Sequence, residues 1–254
     1  MTGRKTLELA LAFALIAALL LVWWAAAASG FVARAFLPNP IDAWHALVRG
    51  FRRGALLEQT LGTVLRMLQG WFIAGLVGVA IGTAIGLSRT ARDFLQPTLE
   101  FLRPLPASAI IPPAIALFGL SPGMALFVIA FGSLWPTLLG TIHGFAAVEP
   151  RLREVARCLG MSGSSFAWKI GLPNAMPDIL AGMRLSMTVA LILAVICEML
   201  ASQAGLGVAI LTAARAFQSA ELFAGIALLG LIGLATNLAL RAVERRALRW
   251  QIRH

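Results

Sequence analysis

Residues 149–173 read EPRLREVARCLGMSGSSFAWKIGLP and form the centre of the longest polar insert (146–177) in an apolar chain. Pro150 suits the first turn of a helix, where a backbone N–H has no helical partner to lose. Leu152, Val155, Ala156 and Leu159 then recur on one face. Arg151, Glu154 and Arg157 mark more polar faces. Gly160 is placed to end this helix in a left-handed conformation. Ser162, Ser164 or Ser165 can cap a second short helix. Phe166 and Ile170 share its apolar side, and Pro173 is expected to stop it. The pattern predicts a helix–turn–helix lobe with an apolar face and an ionic rim, a form suited to docking. The alternative is an ordinary loop folded against a membrane.

The residues around the insert set its surroundings. Of 254 residues, 59% are apolar and 13% charged, and the mean hydropathy is +0.86. A soluble domain has about 45–50% apolar and about 25% charged residues. A disordered chain, a fibrous repeat and most soluble enzymes are excluded, and an integral membrane protein is indicated. A spanning helix needs about 20 mostly apolar residues. Six stretches qualify: Leu7–Ser29, Leu57–Ser88, Pro97–Leu117, Met124–Phe145, Asp178–Leu200 and Leu222–Leu240. The first is longer than the ~7–15-residue apolar core of a cleaved signal, so it reads as a retained helix. The third is broken by Pro104, Pro106, Pro112 and Pro113, and the fourth contains Pro136. Pro40 opens Ile41–Phe51, an interfacial helix with Trp44, Leu47, Val48 and Phe51 at helical spacing and Asp42, Arg49, Arg52 and Arg53 on the polar side. Ala74, Gly78, Gly82 and Gly86 make a small-residue ridge, for packing within the subunit or for a dimer seam. The organisation is an N-terminal span (1–30), a loop with the interfacial helix (31–56), a five-helix core (57–240) holding the insert, and a basic tail (241–254).

Charge supports a topology. Lys+Arg number 21 against 11 Asp+Glu, and only Lys5 and Lys169 are lysine. With both termini in the cytoplasm, thirteen of these cations fall in cytoplasmic segments, five in outer segments and three within spans. This obeys the positive-inside rule, and nucleic acid is not needed to explain the +10. Neither lysine follows a glycine as a phosphate-binding loop requires, so the chain carries no Walker-type ATP site. His45, His143 and His254 fall in different segments, and Cys158 and Cys197 read as free thiols. No spacing suggests a catalytic residue, metal or cofactor site, which leaves a membrane enzyme without positive support. Charges inside spans cost several kcal/mol unless paired or wet. Arg103, Arg184 and Glu198, with Arg66, are therefore candidates for a gate or pathway, with snorkelling the alternative for the arginines. Glu198 stands near Ser202 and Gln203, where it can pair with an arginine or cap the loop. The carbonyls freed by the third span's prolines suit a pathway wall.

Glu154-Val155-Ala156, Gly160 and Ile170-Gly171-Leu172-Pro173 resemble the "EAA" signature of ABC importer permeases, with Val155 in place of one alanine. Leu37-Pro38-Asn39-Pro40, Arg103-Pro104-Leu105-Pro106, Pro112, Glu198-Met199, Gly205-Leu206-Gly207 and the tail with Glu244-Arg245-Arg246 are similar to the nitrate/sulfonate/taurine branch. The resemblance implies an all-α type I permease of six transmembrane helices in the bacterial inner membrane, multi-pass, with both termini cytoplasmic. It implies a second permease copy, usually identical, two cytoplasmic ABC ATPase subunits that carry the ATP and Mg, a periplasmic substrate-binding protein, and surrounding lipid. Glu154, Val155, Ala156, Gly160, Met161, Ser162, Phe166, Ile170, Leu172 and Pro173 would form the coupling helix region. Arg103, Pro104, Pro106, Pro112, Arg184, Glu198, Met199 and Gln203 would belong to the pathway or gate. The solute would be a small anion of the sulfonate, taurine, nitrate or bicarbonate type, with a vitamin precursor as the alternative. A stand-alone secondary transporter or channel is the competing class; it predicts inverted repeats, and none is evident in the sequence.

Overall fold

The structure is a computed structural model and describes residues 2–102 and 106–250. Every regular element among the described residues is helical. In chain order these are α1 (Thr2–Ala28), α2 (Pro40–Arg52), α3 (Ala55–Leu87), α4 (Arg89–Leu102), a 3-10 turn (Ala107–Ile110), α5 (Ile111–Phe118) and α6 (Pro122–Ala146). Then come α7 (Pro150–Cys158), α8 (Gly163–Phe166), a π turn (Ala167–Gly171), α9 (Leu172–Ala201), α10 (Leu206–Arg215) and α11 (Ser219–Ala247).

Four helical runs are long and apolar enough to cross a membrane: Ala55–Leu87, Pro122–Ala146, Gly163–Ala201 and Ser219–Ala247. Shorter apolar helices are Ala14–Ala28, Ala107–Phe118 and Leu206–Arg215. The expected third span is therefore divided rather than continuous. Its first part belongs to α4, which begins at Arg89 inside the stretch read as a polar loop. Its second part is the 3-10 turn and α5. Proline spacing accounts for the division, since Pro106, Pro112 and Pro113 offer no N–H to a continuous ladder.

Helix α6 is the centre of the bundle, and glycine places it there. On one side, Gly70, Gly78, Gly82 and Gly86 of α3 face Ile129, Thr137, Thr141 and Phe145 of α6. The pairs keep a constant offset along the chain, so α3 and α6 run parallel. The four-residue glycine spacing lets the backbones close until a Cβ would meet Thr141 Cβ at 2.6 Å from Gly82. The ridge is thus spent on packing within the subunit. On the other side α9 runs antiparallel: Gly144 meets Ala175, Gly140 meets Asp178, and Gly182 meets Pro136. The core between them holds Met67, Met124, Ile129, Met187, Leu193 and Cys197. A second cluster, Phe145, Ala167, Ala175 and Ile179, joins the three helices at one end.

That end carries α7 and α8. The opposite end carries α2 and α10. Asn39 caps α2 by accepting from the Ile41 N–H at 3.1 Å, and Pro40 occupies its first turn. Ala43 and Ala46 of α2 turn inward while Trp44 and Ile41 stay exposed, as expected of a helix lying along the bundle's rim. The Trp23 indole donates to the Pro38 carbonyl at 3.0 Å and stacks on Phe223, which fastens α1 to this end.

Candidate functional site: an exposed helical lobe and a buried carboxylate

The lobe begins as its sequence predicts. Pro150 stands in the first turn of α7 and Ala156 is buried. Gly160 adopts φ +62°, and its N–H donates to the Arg157 carbonyl while the Met161 N–H donates to Ala156, each at 3.0 Å. This pair of bonds is the Schellman closure, which satisfies carbonyls that the helix end leaves open. The Ser162 hydroxyl accepts from the Ser165 N–H at 3.3 Å and caps α8. The end of the lobe departs from expectation. Pro173 does not stop the second helix; the chain stays helical from Gly163 to Ala201. Ile170 and Gly171 lie in the π turn, and Leu172 and Pro173 open α9. Pro173 has no N–H to donate, so the ladder there slips by one residue: Leu172 donates to Ala167 five residues back. A π turn is a common answer to such a gap.

The lobe is tied to the bundle through helix-end carbonyls. Arg153 donates to the Phe145 carbonyl, and Asn174 Nδ2 donates to Gly144 at 3.1 Å, both at the C-terminus of α6. Outside the lobe, Arg92 of α4 caps the C-terminus of α3 in the same way, at 2.6 Å from the Gly86 carbonyl. Cations at helix C-termini complement the dipole there. The Arg153 guanidinium also lies 5.7 Å from the Phe166 ring centroid. Away from these ties the lobe presents apolar side chains to solvent: Leu152, Val155 and Leu159 are 43%, 53% and 72% exposed. Glu154 is exposed beside them.

At the opposite end Glu198 is fully buried. Its carboxylate receives Thr63 Oγ1 at 3.0 Å, the Gly207 N–H at 2.9 Å and the Arg66 guanidinium. Thr63 Oγ1 in turn accepts from the Leu206 N–H at 2.9 Å, and Arg66 reaches the Ala204 carbonyl at 3.3 Å. The N-terminus of α10 is thereby held by α3 and α9. Gly205 lies against the carboxylate, where any Cβ would collide with it, and a Cβ on Gly207 would meet Glu198 Cβ at 2.9 Å. Glu198 both pairs with an arginine and caps the loop, so the two alternatives are one arrangement.

The other expected pathway residues do not gather around it. Arg184 pairs with Glu244 of α11, and the separation of fourteen positions from Arg184 to Glu198 corresponds to about 21 Å of helix. Met199 is half-buried next to Glu198. Gln203 has both side-chain amide atoms buried without a hydrogen-bond partner. Pro106 and Pro112 are exposed on the 3-10 turn and α5, while Arg103 and Pro104 lie outside the described residues.

Residues 74–249 match the family of binding-protein-dependent transport system inner membrane components. The chain belongs to that family. It is 30% identical to the taurine transport system permease protein of Escherichia coli, over 96% of this chain and 90% of the relative. It is also 30% identical to a putative aliphatic sulfonates transport permease protein of Bacillus subtilis, over 98% and 90%. The bicarbonate transport system permease protein of Synechococcus elongatus is 30% identical over 80% and 73%. This permease is thus a multi-pass inner-membrane component of an ABC transporter. It is not itself an enzyme, and ATP hydrolysis lies on a separate subunit. Such permeases work with ATPase and binding-protein partners.

Sequence reasoning missed Thr63, and it paired neither Arg184 with Glu244 nor Arg66 with Glu198. A signal for the first was present: Thr63 stands one helical turn before Arg66, on the same face of α3. A carboxylate in a span also demands donors. Asn174, Arg92 and Arg153 carried no such signal, because their partners are backbone carbonyls.

Proposed function

We propose that this permease imports a small oxyanion-bearing solute and that the α7–α8 lobe receives the stroke of the ATPase. The observation that carries the reading is the exposed face of Leu152, Val155 and Leu159 on a lobe otherwise anchored through Arg153 to the end of α6. An apolar face so held, rimmed by Glu154 and Arg151, is a docking surface whose displacement moves the central helices. The solute class is supported by relatives named for taurine, aliphatic sulfonates and bicarbonate, all of which bear sulfonate or carbonate groups.

One lobe per chain supports a second permease copy, most simply an identical one, above two ATPase subunits. The Lys+Arg asymmetry supports a cytoplasmic lobe and cytoplasmic termini. A groove of about 600 Å³ along α6 and α9, lined in part by Trp135, Gly140, His143, Asp178 and Gly182, supports a pathway wall completed by the second copy. Pro106, Pro112, Met199 and the unpartnered Gln203, with Arg103 and Pro104, remain the pathway assignments, and Glu198 acts there by holding α10.

Leu159→Glu tests the docking. The side chain is exposed, so the folded permease should keep its thermal stability and membrane level. Co-purification of the ATPase should fall, and stimulation of ATP hydrolysis by loaded binding protein should drop at least tenfold. Unchanged co-purification and stimulation would refute the docking assignment.

A further inference from the structure

Beneath the lobe lies a second cavity, of about 190 Å³, lined by Leu87, Arg153, Ala156, Arg157, Met161, Gly163 and Phe166. Its chemistry is one-sided. Arg153 and Arg157 line it, and Arg92 stands close by on α4. The Arg153 guanidinium is held below its ordinary pKa, first by burial and then by the charges of Arg92 and Arg157. Like charges so placed destabilise one another unless an anion lies between them. Among the described residues no carboxylate forms an ion pair with any of the three; the ion pairs there are Arg66–Glu198 and Arg184–Glu244. Glu154 on the same helix and Glu149 just before it are exposed instead.

Two of the arginines are fixed in place by other bonds. Arg92 and Arg153 each spend one donor on a helix-end carbonyl, at Gly86 and Phe145. A guanidinium has five N–H donors, so each keeps others for a ligand. The walls of Leu87, Met161 and Phe166 are apolar and suit the carbon part of an ester.

We propose that this cavity binds one phosphate-type oxyanion, held by Arg153 and Arg157 with Arg92 in support. The planar fork of arginine matches such oxyanions in two-point contact. The oxyanion can come from an anionic phospholipid headgroup in the adjoining leaflet or from free phosphate. Basic pockets between spanning helices commonly hold such headgroups. The site is separate from the exposed Leu152–Val155–Leu159 face, so it stands whether or not that face docks an ATPase.

The test uses the full chain in phosphatidylcholine nanodiscs at constant ionic strength. The thermal midpoint is followed against inorganic phosphate, and separately against a rising share of phosphatidylglycerol. A saturable rise is expected in at least one series, because a ligand of the folded state stabilises by mass action. Arg157→Gln should weaken that response about tenfold, the effect of losing one charged hydrogen bond. Arg157→Lys should keep part of it, which separates site loss from misfolding. Arg245→Gln, which removes one tail cation, should leave it intact. A response to phosphatidylglycerol alone assigns a lipid headgroup; a response to phosphate, with or without the lipid, assigns a site open to free anion. No saturable response in either series, or equal weakening by Arg157→Gln and Arg245→Gln, would overturn the proposal.

Discussion

Glu198 shows how a single residue organises one end of this permease. A buried carboxylate is tolerable only when its charge and lone pairs are met. Here three donors from α3 and α10 meet them. Glu198→Ala leaves Arg66 without its counter-charge and the Gly207 N–H without its acceptor. Breaking a largely buried pair from one side costs about 3–5 kcal/mol. The expected outcome is a large drop in the thermal midpoint in detergent. The double replacement Arg66→Met/Glu198→Met should recover most of that drop, since apolar substitutes of similar size are often neutral. A double variant as unstable as Glu198→Ala would show that the carboxylate's bonds to backbone and Thr63, not the ion pair, hold α10. Gly205→Ala belongs to the same constellation. Gly205 has an extended backbone, φ 168°, that any residue adopts, so its glycine is required by space alone. Its Cβ would strike the Glu198 carboxylate, whereas a Cβ on Gly163 meets nothing within 4 Å. Melting curves should therefore separate Gly205→Ala, destabilised, from Gly163→Ala, close to the parent.

At the level of elements, the lobe tests how far local sequence reaches. The cap at Gly160 and the cap at Ser162 were legible because both are local, decided within five residues. Gly160→Ala puts a Cβ into the left-handed region without any clash nearby. The cost should be about 1–2 kcal/mol of local strain. Hydrogen exchange at the Met161 amide, the Schellman donor, should rise while exchange in α6 stays slow. Equal loosening of α6 would show that the lobe and the bundle unfold as one unit. The continuation through Pro173 was not legible. A proline after a short helix reads as a stop, yet the stretch Ala167–Gly171 absorbs the missing N–H by widening to a π turn. What decides the matter is tertiary: Ala167 and Gly171 are buried against Phe145, which leaves no room for the chain to turn away. The division of the third span was half legible. Its prolines marked a break, but the helical start at Arg89 lay in residues too polar to read as a span. The glycine ridge on α3 was visible as a pattern, and only the matching register on α6 showed which surface it serves.

For the whole molecule, the remaining question is which way the bundle faces the membrane, and the permease's own two cysteines answer it. Cys158 is exposed at the end of α7, and Cys197 is buried in the core between α6 and α9. In the proposed topology, which the thirteen-to-five distribution of Lys+Arg supports, α7 lies in the cytoplasm. A membrane-impermeant maleimide is therefore expected to label the permease in inside-out vesicles and not in intact spheroplasts. Cys158→Ser should abolish that labelling, because Cys197 has no exposed surface. Denaturation in detergent should then reveal one thiol in the variant and two in the parent. Labelling of Cys158 from the outer side would invert the topology and with it the lobe's assignment to the ATPase. The exposed basic lobe and the buried Glu198 hub sit at opposite ends of α9, so one labelling experiment orients both. If the cytoplasmic placement holds, ATPase binding should protect Cys158 from the reagent, since it lies within one turn of Val155 and Leu159.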